Sequence, residues 1–178
     1  MNEIFETEFK VTPSTLVKGV TWGILLLFIC MTILIPSSIY LFEEAEAEYL
    51  WLYLFIIFAA TFSVIFIGAW AYSPQTYFVS DKNIRIKRPV NSISIPIKKT
   101  VKIEPIDINK FKTFRKWGNG GIFSSTGLFY TKEHGDFWIY TKNDNYVMVH
   151  ADKKYVLSPD DKELFIHTVT SKLGREKK

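Results

Sequence analysis

The sequence predicts a hairpin of two transmembrane helices followed by a mostly-β domain that one C-terminal α-helix closes. Three observations support this fold class. Residues 19–42 and 49–72 are long apolar stretches that contain no charged residue. After Tyr72 the pattern changes to short runs in which apolar and polar residues alternate, as is typical of strands. An amphipathic stretch with a helix start signal then ends the chain.

The two apolar stretches are long enough for membrane spans, because crossing the hydrocarbon core takes roughly 20 apolar residues in a helix. A cleaved signal peptide has a basic start and an apolar core of about 7–15 residues. Here the N-terminal tail, residues 1–18, begins with the acidic residues Glu3, Glu6 and Glu8. The sequence therefore predicts a retained hairpin over residues 19–72.

Charge is distributed unevenly and predicts the orientation of the hairpin. The loop at residues 43–48 contains four Glu and neither Lys nor Arg. Lys10 and Lys18 precede the first span, and Lys82 and Arg85 follow the second. Positive residues are retained on the cytoplasmic side, so we expect both termini in the cytoplasm, the acidic loop outside, and the protein in the inner (cytoplasmic) membrane.

Residues 73–178 predict a cytoplasmic domain built on a curled antiparallel sheet of roughly six to eight short strands. Turn residues at positions 134–136 and 142–145 separate several of these strands. The closing helix is predicted to begin at Ser158 and Pro159 and to end at Gly174. The predicted strands are residues 76–80, 84–87, 93–97, 101–103, 127–130, 137–142, 146–150 and 155–157.

The N-terminal tail allows two interpretations. Between Glu3 and Val11 the apolar residues Ile4, Phe5 and Phe9 alternate with Glu and Lys. This pattern indicates either an edge strand that joins the domain or an interfacial, frayed tail.

The order of these elements resembles the pleckstrin-homology (PH) superfold. It is most similar to bacterial PH-like domains of small membrane proteins with paired transmembrane helices. The resemblance covers about residues 74–174, and residues 77–81, 84–86, 115–123 and 155–160 carry it. It implies a binding module, since members of this superfold bind phosphoinositides or proteins.

A glycine-rich stretch after two cations is the most distinctive feature outside the spans. Gly and Asn accept positive φ and can turn several backbone amides toward one anion. The alternative is a tight turn in which the glycines only satisfy geometry. The residues predicted to bind an anion or a lipid headgroup are Arg115, Lys116, Gly118, Asn119, Gly120 and Gly121.

Further cations could form a basic patch that faces the membrane. The linker from Tyr72 to Thr76 spans at most about 14 Å, so the domain must lie close to the bilayer, where cations attract anionic headgroups. The alternative is that these charges only solvate edge strands and prevent edge pairing. The patch candidates are Lys98, Lys99, Lys102, Arg85 and Lys87.

The distribution of reactive residues argues against an enzyme. His134, His150 and His167 are scattered, and Cys30 is the single cysteine, so we expect no metal site, no cofactor and no catalytic group. The aromatic residues read as core positions, so we expect no nucleic acid partner.

The leading hypothesis is a membrane-anchored module that binds anionic lipid headgroups or a protein partner, including its own copies, and organises an assembly at the cytoplasmic membrane face. Two alternatives remain. One is an accessory or immunity-type subunit that acts through its helices, and the other is a subunit of an enzyme or transporter complex.

Overall fold

The computed structural model describes residues 6–39 and 45–176, within which the chain forms ten strands and three α-helices. Strand β1 (Thr7–Lys10) precedes the long helices α1 (Thr15–Ile39) and α2 (Ala45–Ala71). The remaining elements are β2 (Thr76–Val79), β3 (Asn83–Lys87), β4 (Ser92–Pro96), β5 (Lys102–Pro105), β6 (Phe114–Gly120), β7 (Ser125–Thr131), β8 (Gly135–Thr141), β9 (Val147–His150), β10 (Lys154–Leu157) and α3 (Lys162–Glu176).

Helices α1 and α2 pack side by side and are both long and apolar enough to cross a membrane. The rings of Phe28 and Phe62 stack with their centroids 3.9 Å apart. Along Thr15–Leu34 and Leu52–Ala71 few side chains are buried and most large apolar ones are exposed, which is unlike a helix in the core of a soluble protein. The helices therefore have the composition and the exposure expected of a transmembrane hairpin.

The helix bounds differ from the predicted ones at their N-terminal ends. Helix α1 begins at Thr15 rather than 19, because Ser14 caps it: its hydroxyl accepts a hydrogen bond from the amide of Val17 at 3.3 Å. Helix α2 begins at Ala45, so the last four residues of the predicted acidic loop are helical. Ala and Glu are strong helix formers, and Glu is favourable near a helix N-terminus. The rest of that loop and the predicted end of the first span lie outside the described residues.

The strands form two sheets. The first has the order β1-β2-β3-β4, and the second has the order β5-β9-β10-β8-β7-β6. All pairs are antiparallel except β10 with β8, which run parallel. Strand β10 is inserted between β8 and β9, and it pairs antiparallel with β9. The curled sheet and its closing helix were predicted, whereas the parallel pair and the number of strands were not.

The main core lies between the two sheets and α3. Phe165 and Val169 of α3 are fully buried there, together with Phe9 of β1, whose ring meets that of Phe165 edge to face at 5.0 Å. Strand β1 pairs antiparallel with β2. Of the two interpretations of the N-terminal tail, the structure therefore has the edge strand, and the β-domain is assembled from chain on both sides of the helical hairpin.

The predicted start of the last helix is wrong. Asp161 is the residue that caps α3, since its carboxylate accepts a hydrogen bond from the amide of Leu164 at 2.9 Å. Ser158 is fully buried, and its hydroxyl accepts a hydrogen bond from the amide of Lys142 at 2.9 Å. Ser158 follows β10 directly, so the sheet uses the hydroxyl that sequence reasoning assigned to a helix cap. The helix also extends beyond its predicted end at Gly174, to Glu176.

Candidate functional site

The turn between β6 and β7 contacts both helices of the hairpin. The ring of Phe123 meets that of Phe66 of α2 at 4.8 Å, and the backbone amide of Phe123 donates to the hydroxyl of Thr21 of α1 at 2.9 Å. Gly121 faces Val20, and a Cβ at this glycine would lie 3.3 Å from the Val20 methyl group. The turn thus contacts both long helices at the same level.

This contact level corresponds to one boundary of a bilayer that the helices could span. With a helix rise of about 1.5 Å per residue, α1 continues for about 27 Å beyond Thr21, and α2 runs for about 31 Å before it reaches Phe66. The hydrocarbon core of a bilayer is about 30 Å thick. If the helices cross a membrane, the β6–β7 turn lies near this boundary, since Thr21 and Phe66 are six and five residues from the domain-side ends of the apolar stretches Thr15–Leu34 and Leu52–Ala71.

Strand β6 is an edge strand that presents large aromatic rings to its surroundings. Phe114 is 66% exposed and Trp117 is 71% exposed, although rings of this size are usually buried in a soluble domain. Trp is enriched at the level of the headgroups. The exposed rings lie on the same strand that leads to the turn at the two helices.

The predicted Gly-Asn-Gly-Gly loop is wrong, because its first three residues belong to β6. Gly118 lies opposite Gly127 of β7, and both have positive φ, +115° and +138°. A Cβ on either residue would lie 2.1 Å from a carbonyl oxygen of the facing strand. Glycine is therefore required here by the close approach of two backbones.

The remaining residues of this stretch build the turn itself. The side-chain amide of Asn119 donates to the carbonyls of Ile122 and Ser124, and the amide of Gly121 donates to the Ser124 carbonyl at 3.0 Å. These groups donate within the turn, as the alternative in which the glycines satisfy geometry would require, and anion binding by this stretch stays a prediction. Gly120 leaves room for the guanidinium of Arg115, which lies against it.

Several of the cations predicted as binding candidates have partners within the domain. Lys116 forms an ion pair with Asp136 at 2.6 Å and lies over the ring of Tyr130. Lys102 forms an ion pair with Glu104 at 2.6 Å. Arg85 pairs with Glu6 and lies over the ring of Phe78, and the pair joins β3 to the N-terminal tail.

The predicted basic residues lie on several elements. Arg115 and Lys116 lie on β6 and Lys102 on β5, which are the opposite edges of the six-stranded sheet. Arg85 and Lys87 lie on β3 of the other sheet. Lys98 and Lys99 occupy a 3₁₀ turn between β4 and β5 that contacts β3. The basic patch on β3, this turn and β5 stays a prediction, and among the predicted cations only those of β6 lie on the strand that leads to the helical hairpin.

A cleft of about 560 Å³ separates α2 from the face of the six-stranded sheet. Its lining is mainly apolar. The α2 wall consists of Ile65, Gly68, Ala69 and Tyr72, and the sheet wall includes Trp117, Trp138 and Tyr140. Sequence reasoning did not find this cleft, because its two walls come from segments that are far apart in the chain.

Arg88 lies in this cleft and was also missed. Its guanidinium is 5.3 Å from the centre of the Tyr72 ring and 5.7 Å from that of Tyr140, and its buried Nε has no hydrogen-bond partner. Burial lowers the pKa of Arg88, and the neighbouring tyrosines oppose this shift. Burial raises the pKa of Tyr140 to about 12. In the sequence, Arg88 follows Lys87 and looks like one more cation of a solvated run.

One further pair of ionisable side chains lies away from the cleft. His150 lies 2.9 Å from Glu104 at the β5 edge. Within residues 6–39 and 45–176, no cluster of three or more His, Cys, Asp or Glu residues is arranged to hold a metal ion.

Fold and site together define a class of protein in which a two-sheet β-domain, closed by a helix, is docked on a pair of apolar helices. Residues 75–173, more than half of the chain, match the family described as the bacterial PH domain. The chain therefore belongs to the bacterial PH domain family, which confirms the resemblance found in its sequence. No curated protein and no solved structure gives a significant match.

Proposed function

We propose that this protein is a non-enzymatic module of the inner membrane that holds a PH domain against the cytoplasmic face and binds anionic lipid headgroups along the β6 edge. Its helices span the membrane with both termini in the cytoplasm. The observation that supports this most directly is the docking of the β6–β7 turn, through Phe123, on Phe66 and Thr21. With the helices in the membrane, this contact would hold one edge of the domain close to the bilayer surface.

The chemistry of the β6 edge suits that position. Rings such as those of Phe114 and Trp117 gain free energy when they move from water into the interface. The neighbouring cations Arg115 and Lys116 would each contribute on the order of 1 kcal/mol beside an anionic surface. Lys116 keeps Asp136 as an internal partner, so we assign the larger share to Arg115.

The charge distribution along the chain supports the orientation. Residues 1–72 carry seven Glu and two Lys, whereas residues 73–178 carry 20 Lys or Arg against 11 Asp or Glu. The basic part is the domain that we place in the cytoplasm, where the leaflet surface is negative.

A protein partner is the second candidate, and the edge position of β6 favours it. An edge strand exposes unpaired backbone groups that can receive a strand from another chain. Such a partner, or a second copy of this chain, could assemble on the module at the membrane surface.

The test uses the full-length protein in lipid nanodiscs and follows hydrogen exchange of the β6 backbone. We expect slower exchange with phosphatidylglycerol than with phosphatidylcholine alone, and we expect high salt to remove the difference. Replacing Arg115 and Lys116 by Gln should also remove it. The matched control replaces Lys98 and Lys99, two adjacent cations on another element, and should leave the difference in place.

Equal exchange in both lipids would contradict headgroup binding. It would favour the partner protein, which should then protect β6 in any lipid. If both double variants lose the difference in exchange between the two lipids equally, the effect comes from net charge rather than from the β6 edge. This result would also contradict the proposal.

A further inference from the structure

We propose that the cleft between α2 and the six-stranded sheet binds one anionic phospholipid, with its phosphate on Arg88 and an acyl chain along α2. This inference rests on the proposed function, because the cleft meets lipid only if the helices span the membrane. It adds a defined single-lipid site to the general attraction between the β6 edge and the membrane surface.

The shape of the cleft suits an acyl chain. Its α2 wall is one face of the helix, formed by residues at spacings of three and four along residues 65–72. The opposite wall carries the rings of Trp117, Trp138 and Tyr140. Its volume of about 560 Å³ lies within the range of about 300–1,000 Å³ that is usual for small-molecule sites.

The charge in the cleft is complementary to a phosphate. Arg88 has no carboxylate partner among the described residues; its guanidinium lies over the rings of Tyr72 and Tyr140, and its Nε has no hydrogen-bond partner. Arg85, three residues earlier, is instead paired with Glu6. A guanidinium binds phosphate through two parallel hydrogen bonds. An anion in the cleft would therefore offset the cost of partly burying an unpaired cation.

The order of the groups along the membrane normal also fits a phospholipid. The turn after β3 lies at the end of α2, where the amide of Val90 is 3.4 Å from the carbonyl of Ala71. Arg88 is therefore at the level expected for headgroups. Ile65 lies about 10 Å deeper along α2, since it is two helical turns before Tyr72. A phosphate at Arg88 thus places its acyl chain toward the hydrocarbon core.

The apolar lining favours a lipid over a soluble anion. An inorganic phosphate on Arg88 would leave the walls around Trp117 and Ile65 without contacts. Filling them with a chain buries apolar surface at roughly 25 cal/mol per Å². The occupant to which the cleft is suited therefore carries both a phosphate and an alkyl chain.

Two substitutions test the two parts of the site, and each has a matched control. Arg88→Gln removes the charge, and Arg85→Gln removes a charge from the same strand region outside the cleft. Gly68→Leu fills the α2 wall, and Gly23→Leu adds the same side chain to α1. A Cβ at either glycine meets nothing within 4 Å, so both positions accept a side chain without a clash at its first carbon. If Arg88→Gln fails to fold, Arg88→Lys provides a second variant, which keeps the positive charge.

The measurement is native mass spectrometry of the full-length protein, delipidated in detergent and titrated with phosphatidylglycerol. We expect one tightly bound lipid, and we expect Arg88→Gln and Gly68→Leu each to weaken its binding by about tenfold. Arg88→Lys should weaken lipid binding less than Arg88→Gln, because lysine keeps the positive charge. It should still weaken binding somewhat, because lysine cannot donate two parallel hydrogen bonds to the phosphate. Both controls should bind as the wild type does, and inorganic phosphate at millimolar concentration should not displace the lipid.

Unchanged binding in both Arg88→Gln and Gly68→Leu would overturn the proposal, as would displacement by inorganic phosphate. If the single lipid is missing while β6 still responds to anionic nanodiscs, the site is wrong and the proposed function stands. If the response of β6 is also missing, the proposed function fails with it.

Discussion

Two of the contacts between the β-domain and the N-terminal part of the chain are built differently. At the first, Phe9 is 4% exposed and packs on Phe165 in the centre of the core. At the second, the β6–β7 turn contacts the helices through Phe123 while Trp117 on the same hairpin remains mostly exposed. The first contact contributes to the folding of the domain. The second positions a surface and leaves its rings exposed.

This difference has a consequence for the unit that folds. Strand β1 lies before the helical hairpin, and the rest of its sheet lies after it. A fragment that begins at residue 73 lacks Phe9 and Val11, which are both buried in the core. The helical hairpin is thus inserted into the domain, and tests of lipid binding need the full chain.

The largest expected effect concerns the first contact. Phe9→Ala should lower the free energy of unfolding of the β-domain by about 3–5 kcal/mol, because it leaves a cavity in the core. Phe114→Ala removes the same side chain from an exposed position of β6 and should change stability by less than about 0.5 kcal/mol. Urea unfolding followed by near-ultraviolet circular dichroism compares the two. Similar losses would contradict the distinction between the two contacts.

The next effect concerns the crossing of β6 and β7. Gly118→Ala should cost more than about 2 kcal/mol, since its Cβ would collide with a backbone carbonyl as well as requiring positive φ. Gly135→Ala also has positive φ, at +68°, but its Cβ meets nothing within 4 Å. It should cost only about 1 kcal/mol. Thermal unfolding of both variants makes the comparison, and equal costs would mean that the close approach does not occur.

A smaller effect is expected at the docking contact. Phe123→Ala removes the ring pair with Phe66, which should be worth about 1 kcal/mol. The β6–β7 turn should then open more often, while the core around Phe165 keeps its protection. Hydrogen exchange resolved by peptide measures both regions at once. Faster exchange throughout the domain would show that the turn is part of the core and not a docking contact.

The smallest effect concerns the β5 edge, at the far side of the sheet from β6. Lys102, and then His150, lowers the pKa of the Glu104 carboxyl despite some burial. A carboxyl whose pKa is lowered by folding stabilises the folded state at pH values above its unfolded-state pKa. This stability is lost as the pH falls through the folded-state pKa. Glu104→Gln should therefore destabilise the domain by no more than about 0.5 kcal/mol at neutral pH, and by nothing in strong acid. A pH series of urea unfolding checks this, and a pH-independent loss would contradict it.

The sequence was sufficient for the elements whose pattern is continuous. The two apolar helices could be predicted because their apolar stretches are continuous. Most strands could be predicted because apolar and polar residues alternate along them without interruption. Strand β6 was missed because Gly118 and Gly120 break the alternation and resemble turn residues. The start of α3 was misplaced because Ser158 can serve either a sheet or a helix cap, and only tertiary packing decides between them.

The candidate site was less accessible to sequence reasoning. Arg115 and Lys116 were predicted as site residues because they precede a distinctive glycine pattern, and they lie on the strand that leads to the helices. Arg88 was missed because nothing local distinguishes a cation that will be covered by Tyr72 and Tyr140. The contact that positions the site, between Phe123 and Phe66, joins residues whose proximity depends on the docking of the domain.

The central claim, that β6 lies at the membrane boundary, is tested most directly by the depth of a spin label in liposomes. Trp117→Cys and Val101→Cys, each with Cys30→Ser, place the label on the β6 edge and beside the β5 edge. Both native side chains are more than two-thirds exposed. We predict that the label at 117 is reached by oxygen and shielded from a water-soluble nickel chelate, whereas the label at 101 is reached by the chelate. Equal access of the chelate to both labels would contradict the account.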